Sequence, residues 1–413
     1  MNTKVERIQK DIEALAVFNA TPGEGLTRLS FTLEHRAAQD YLIRTMEAAG
    51  LSVRVDPAGT VIGRLEGREA ELAPVVAGSH FDSVPHGGNF DGLAGVVMGL
   101  ETARVFQEQG WKPCRPVEFI AMTEEEGARF GGGLFGSRAM AGLLSAEELA
   151  TYRDKDGIST GEAMTAFGLD PAAIGGAVRP KGSIHAYVEL HIEQGKILEA
   201  AGQDVGVVET IVGIKELRIT VTGRADHAGA TPMDMRADAY LAACKTALAA
   251  NAAAKAAGHG TVATVGKVAV RPGGFNIVPG EVEFFVDIRS PKAECLETVY
   301  QQVCRAVEEA CACEDGLSAK VEMMMDVVPV DMSGRLCAIL REKAETLGLG
   351  WRDMVSGAGH DAQIMAGITD AALIFVPCRE GRSHCPEEWT DYDQLQKGVE
   401  TACAAIAQLA DES

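Results

Sequence analysis

No uninterrupted apolar run in the 413-residue sequence approaches the ~18 residues of a membrane-spanning helix, so no such span is expected. Basic residues are scarce beside acidic ones: 38 Lys and Arg stand against 59 Asp and Glu, a net charge of −21. Nucleic-acid recognition needs a clustered basic face, and docking on an anionic membrane needs the same, so the balance argues against both. Residues 1–10 carry Lys4, Glu6, Arg7 and Lys10 with no apolar stretch behind them, which is not the pattern of a signal peptide. The ten cysteines, at 114, 244, 295, 304, 311, 313, 337, 378, 385 and 403, include no Cys-x-x-Cys pair and no spacing that suggests a disulfide framework. They read as free, mostly buried thiols of a reducing cytoplasm. Cys311 and Cys313 close an apparent helix, where residues two apart face different ways, so a metal pair is not expected there.

What is present is ordinary for a soluble globular protein: 46% apolar and 23% charged residues, in a chain long enough for two or three domains. Apolar residues at helical spacing mark 2–18 (Val5, Ile8, Ile12, Leu15) and 93–109 (Val96, Val97, Leu100, Val105). Short apolar runs at 74–78, 117–122 and 187–192 read as buried strands, while 143–183 is polar and helical in part, with no strong signal. After Pro329, a helix at 337–347, a strand at 371–376 and a helix at 392–409 resume the same alternation. Strands alternating with helices predict an α/β fold with a parallel core.

The middle has another pattern. A strand at 215–222, a helix at 233–257, strands at 261–270 and 282–288, a helix at 293–313 and a strand at 319–325 follow the order β-α-β-β-α-β, the ferredoxin-like signature. Residues 212–327 are therefore expected to form an α+β domain inserted into a larger one made of 1–211 and 328–413. The insert has 12 basic and 15 acidic residues, a net of −3 against −18 for the rest. A nearly neutral insert is the better surface for self-association.

Ligand-type residues collect after the predicted strands. His80 and Asp82 follow the first, Asp91 closes the glycine-rich stretch GGNFD, and Glu124, Glu125 and Glu126 follow the second. His191 ends the third strand, and His384 follows the last. Open α/β sheets place their sites at the carboxyl ends of strands, and His with carboxylates suits divalent transition metals. Each residue alone has a plainer reading: a loop His at the surface, a Glu triplet as a solvated turn, Arg289 paired with Asp287 or Glu281, His227 in a Gly/Ala loop.

GSHFDSVPHGGNFDG, TEEEGARFGG, ELHIEQG, GRADHAGATPMDMRAD, GGFNIVPGEVEFFVDIRS, SGAGHDAQ and GRSHCPEEWT occur in that order. Together, over roughly residues 5–410, they resemble the amidase, hydantoinase and carbamoylase branch of the M20 metallopeptidase family. That branch includes N-carbamoyl-L-amino acid hydrolases, allantoate and ureidoglycolate amidohydrolases and β-ureidopropionases. The resemblance implies an M20-type zinc-hydrolase catalytic domain whose inserted domain is a lid and dimerisation domain. It implies two divalent metals, Zn or Mn, Co or Ni, on His80, Asp91 as the bridge, Glu126, His191 and His384. It makes Asp82 the carboxylate that orients His80 and Glu125 the general base. It assigns Gln194, His227, Asn276, Arg289 and the loop Gly357-Ala358-Gly359 to the substrate, with His227 reaching a partner subunit's site in a homodimer. Cys385, beside His384, is a neighbour and not a ligand.

The chemistry implied is hydrolysis of a non-peptide C–N bond in an N-carbamoyl-L-amino acid or in allantoate, both small carboxylated ureido compounds. A dipeptidase or aminoacylase of the same superfamily is the alternative enzyme, although the Gln of HIEQG and the late His of GRSH fit the amidohydrolase branch. A binding protein that kept the fold without activity is the third reading, and the intact ligands and Glu125 speak against it.

Overall fold

The computed structural model describes residues 2–413. Contacts divide the chain into two compact units. The first is Met1–Glu209 with Asp331–Met354 and Gly359–Ser413; the second is Thr210–Val330 with Val355–Ala358. The expected boundaries leave out the short return at Val355–Ala358. It goes with the second unit because Val212 N–H donates to Ser356 O and Arg289 Nη1 to Gly357 O.

The first unit is built on a mixed sheet. Its order runs Ser52–Val55, Val61–Leu65, Val117–Met122, Val75–His80, Ala186–Ile192, Ala371–Val376 and Val205–Ile211. The four strands from Val117–Met122 to Ala371–Val376 pair parallel, in registers that set His80 opposite Met122 and His191 opposite Phe375. Every residue in these four strands is buried. Such continuously apolar runs suit parallel strands covered on both faces. The helix Leu93–Glu108 has 13 buried positions and packs on Val75–His80. It begins at Gly92, whose φ of 64° favours glycine, and a Cβ there would lie 2.4 Å from the His80 ring.

The second unit has the element order Gly213–Thr222, helix Ala239–Ala257, Val262–Arg271, Glu281–Ser290, helix Ala293–Ala312 and Ser318–Val327. Its four strands are all antiparallel to their neighbours, in the order Ser318–Val327, Gly213–Thr222, Glu281–Ser290, Val262–Arg271. The two central strands alternate: Leu217, Ile219, Val221, Val282, Phe284, Val286 and Ile288 are buried in one cluster with Ala242, Val299, Val303 and Val307 from the helices. This is the period-two pattern of a sheet covered on one face.

Two sequence expectations change. The helix expected at 233–257 begins at Ala239; Asp238 caps it by accepting from Tyr240 and Leu241 N–H, and Met233–Met235 is a separate short turn. The segment 143–183, read as helical in part, contains the helices Ala146–Thr151 and Thr160–Ala166 and the 3-10 turn Pro171–Ala177, opened by Ser145, Ser159 and Asp170. Elements this short show capping residues but no periodicity. All ten cysteines are free, but only Cys114, Cys337, Cys378 and Cys403 are buried, and Cys313 is exposed. Five of the ten lie in the thin second unit, where helix faces stay partly open. Among the described residues, no helix is long and apolar enough to cross a membrane.

Candidate metal centre

The parallel strands of the first unit end side by side, and the groups that follow them converge. His80 Nε2 and His191 Nε2 lie 3.3 and 3.1 Å from Asp91 Oδ1. His384 Nε2 lies 3.4 Å from the other oxygen, Asp91 Oδ2, and 3.5 Å from Glu126 Oε2. Asp91 thus turns one carboxylate oxygen to each of two groups. His80, Asp91 and His191 form the first and Asp91, Glu126 and His384 the second, each with ligand atoms within 4.8 Å of one another. His80 with Glu125 and Glu126 meets the same criterion.

The surroundings fix these groups. Asp82, buried, accepts Glu125 N–H on Oδ1 at 3.1 Å and Glu126 N–H on Oδ2 at 3.2 Å. It also lies 3.6 Å from His80 Nδ1, so one carboxylate orients both the imidazole and the turn that carries the two glutamates. Glu125 brings Oε2 to 3.7 Å from His80 Nε2. Gln194 Nε2 donates to Asp91 Oδ2 at 2.7 Å. Glu124, Gln194 and His384 have φ of 55°, 57° and 56°, left-handed conformations that non-glycine residues adopt at some cost.

Burial dominates the electrostatics. It works against charge on Asp91, yet His191, His384 and His80 together hold that carboxyl well below the usual range. Burial, then the charge of Asp91, pushes Glu126 up to about 8, and burial raises Glu125 well above the usual range against the pull of His80. His384, hydrogen-bonded to Asp91, rises to about 9.

The donor set fits divalent cations on two observations. Three imidazole nitrogens and two carboxylates converge, and Glu126 Oε1 is buried with no hydrogen-bond partner among the described residues. Neighbouring carboxylates that resist ionisation together need positive charge between them.

Ser383 and Glu388 escape the motif reading. Ser383 Oγ is 3.0 Å from Asp91 Oδ2 and 2.7 Å from Glu388 Oε2, while Glu388 Oε1 accepts the N–H groups of Phe90 and Asp91 at 3.0 Å each. Both stand inside GRSHCPEEWT, but only the fold brings them to Asp91.

The remaining expected residues lie elsewhere. His227 is exposed in the second unit, and its Nδ1 accepts from Gly229 and Ala230 N–H at 3.0 and 3.1 Å. That leaves Nε2 to carry the proton and act as a donor. Asn276 is exposed beside it: Ala228 N–H donates to Asn276 O at 3.0 Å, and His227 bridges Ile277. Arg289 gives Nε and Nη2 to Asp287 and Nη1 to Gly357 O, three of its five N–H groups. It sits at the far end of the strand Glu281–Ser290, eight residues or roughly 27 Å from the end that leads to Asn276. Gly357 and Ala358 belong to the second unit, and Gly359 precedes buried His360 in the first. Cys385 is half-buried.

Residues 76–408 match the model of peptidase family M20/M25/M40. An N-carbamoyl-L-amino-acid amidohydrolase of Paenarthrobacter aurescens is 48% identical, with 98% of each chain covered. An allantoate amidohydrolase of Escherichia coli is 38% identical, again with 98% of each covered. The crystal structure of an amidase of the hydantoinase/carbamoylase family from Burkholderia multivorans is 36% identical, with a TM-score of 0.93 over 99% of this chain and 98% of that one.

Proposed function

The chain belongs to peptidase family M20/M25/M40, and from that premise we propose that it hydrolyses the ureido C–N bond of N-carbamoyl-L-amino acids, giving amino acid, ammonia and CO2. The observation that carries this reading is the pair of three-residue donor groups sharing Asp91, with the Glu125 carboxylate beside them. Similarity over 98% of the amidohydrolase from Paenarthrobacter aurescens supports the substrate class, and similarity to the allantoate enzyme makes allantoate the second substrate to test.

His80, Asp91 and His191 would hold one cation and Asp91, Glu126 and His384 the other, with Zn, Mn, Co or Ni all suited to these ligands. Two divalent cations so held supply Lewis acidity toward the urea carbonyl and lower the pKa of water toward neutrality. Glu125 Oε2 takes the proton of the attacking water and returns it to the departing nitrogen. Asp82, through the N–H groups of Glu125 and Glu126, keeps the base aimed while it works. His227 Nε2–H and the Asn276 side chain are donors for the tetrahedral oxyanion. Gln194, already bonded to Asp91, lies beside the reacting centre. Arg289 has one N–H left on each terminal nitrogen, a fork that suits the substrate carboxylate, with the Gly357–Gly359 turn alongside.

The separation of His227 and Asn276 from Arg289 supports a homodimer in which the first two serve the partner's site and Arg289 serves its own. No small ureido acid spans roughly 27 Å. The reading makes the second unit, 212–327 in its sequence bounds, the lid and dimerisation domain. Ten free cysteines support a reducing, cytoplasmic setting.

The test is ammonia release from a panel of N-carbamoyl-L-amino acids, N-carbamoyl-β-alanine, allantoate and ureidoglycolate, with Mn or Zn and with chelator. Turnover of N-carbamoyl-L-amino acids that chelator abolishes and metal restores is expected. Full activity in protein shown metal-free by elemental analysis would overturn the mechanism.

A further inference from the structure

Glu388 stands outside the ligand set, and no step of the proposed hydrolysis uses it. It is 3% exposed, and both of its oxygens are committed. Oε1 accepts Phe90 N–H and Asp91 N–H at 3.0 Å each, and Oε2 accepts Ser383 Oγ–H at 2.7 Å. Glu388 therefore ties the backbone that carries Asp91 to Ser383, the residue before His384, across 292 positions of sequence. The route is built for it. A Cβ on Gly88 would come within 2.3 Å of the Glu388 side chain, so the glycine stretch before Asp91 leaves room for this carboxylate. Glu388 N–H donates to Cys385 O at 3.1 Å, closing the turn that directly follows His384. Phe90 packs edge-on against Trp389 at 5.2 Å between ring centroids, so apolar contact reinforces the polar tie.

The two donor groups depend on this tie unequally. His80 and His191 leave the ends of buried strands and need no help from the loop that follows Val376. His384 is half-exposed, has φ of 56°, and is set against Asp91 by that loop. Resting on the two-cation reading above, we propose that Glu388, with Ser383, is a positioning residue for the cation held by Asp91, Glu126 and His384, and has little effect on the one held by His80, Asp91 and His191.

The experiment titrates Mn or Zn into metal-free full-length protein by calorimetry, without substrate. Wild type should show two phases. Glu388→Gln keeps the shape and one accepting oxygen but places an NH2 group against Ser383. One phase should weaken roughly 10–100-fold, the usual cost of losing a carboxylate behind a metal ligand, while the other moves less than threefold. Ser383→Ala should weaken the same phase, and it serves as the variant if Glu388→Gln does not fold. The melting temperature of the metal-free variants should match wild type, which a merely structural role for Glu388 would not allow. Two wild-type phases that the variants leave unmoved, or shift equally, would overturn this assignment alone. A single wild-type phase would overturn the two-cation reading and the assignment with it.

Discussion

The two units of this chain hold their functional groups in different ways. In the first, His80, Asp91 and His191 are buried, and they leave the ends of strands covered on both faces. Their neighbours hold them in place: Asp82 orients His80 and the glutamate turn, and Gln194 and Ser383 reach Asp91. In the second, His227 and Asn276 stand on exposed loops, next to a Phe275 side chain that is wholly exposed. Its sheet is buried on one face, and the groups assigned to substrate lie beyond that core. The difference teaches that a metal centre must be assembled before its ions arrive, because carboxylates crowded at low dielectric tolerate little misplacement. Groups that, on the reading proposed above, meet substrate only when the second unit closes as a lid can wait in water, at no desolvation cost.

The comparison predicts separable defects, and the largest effect comes from combining the units. Mixed subunits of His227→Ala and Glu125→Gln, each inactive alone, should regain activity toward half per exchanged dimer. With His227 acting in trans, one site of the heterodimer carries both changes and the other carries neither. A mixture that stays inactive after subunit exchange, verified by native mass measurement, would remove the trans assignment. Next in size, Glu125→Gln should retain both cations by elemental analysis while kcat falls by at least the roughly 10²–10⁴ expected for one positioned acid–base group, since this one acts twice. Loss of metal instead would exchange the roles given to Glu125 and Glu126. Smaller again, Arg289→Lys keeps the charge but loses the fork. It should lower kcat/KM on carboxylated ureido substrates by about 2–4 kcal/mol with metal content unchanged. Unaltered kinetics would take Arg289 out of the site.

Much of the first unit is legible in sequence, because buried parallel strands are short apolar runs and their ends point to one edge. His80 and His191 stand at the ends of such runs, Asp91, Glu126 and His384 follow them, and the fold brings the five together. Register and sharing are not legible. Nothing in GGNFDG says that Asp91 turns one oxygen to His80 and His191 and the other to His384. Glu388 and Ser383 meet Asp91 only in three dimensions, and Gly88 makes sense only once Glu388 is seen against it. In the second unit the β-α-β-β-α-β order is readable from alternation and helix spacing. The separation of Asn276 from Arg289 is implicit in reading 282–288 as an extended strand. The helix start at Ala239 is harder to read, since an alanine-rich stretch keeps helical spacing on both sides of its true cap, Asp238. The segment 143–183 reads only as partly helical because three one- or two-turn elements are too short to show a clear period.

The central claim is that Asp91 joins two cation sites within the first unit. Anomalous diffraction from crystals grown with Zn tests it most directly. The account predicts two peaks per chain, one among His80, Asp91 and His191 and one among Asp91, Glu126 and His384, with Asp91 contacting both. A single peak, or a cation that Asp91 does not touch, would contradict it.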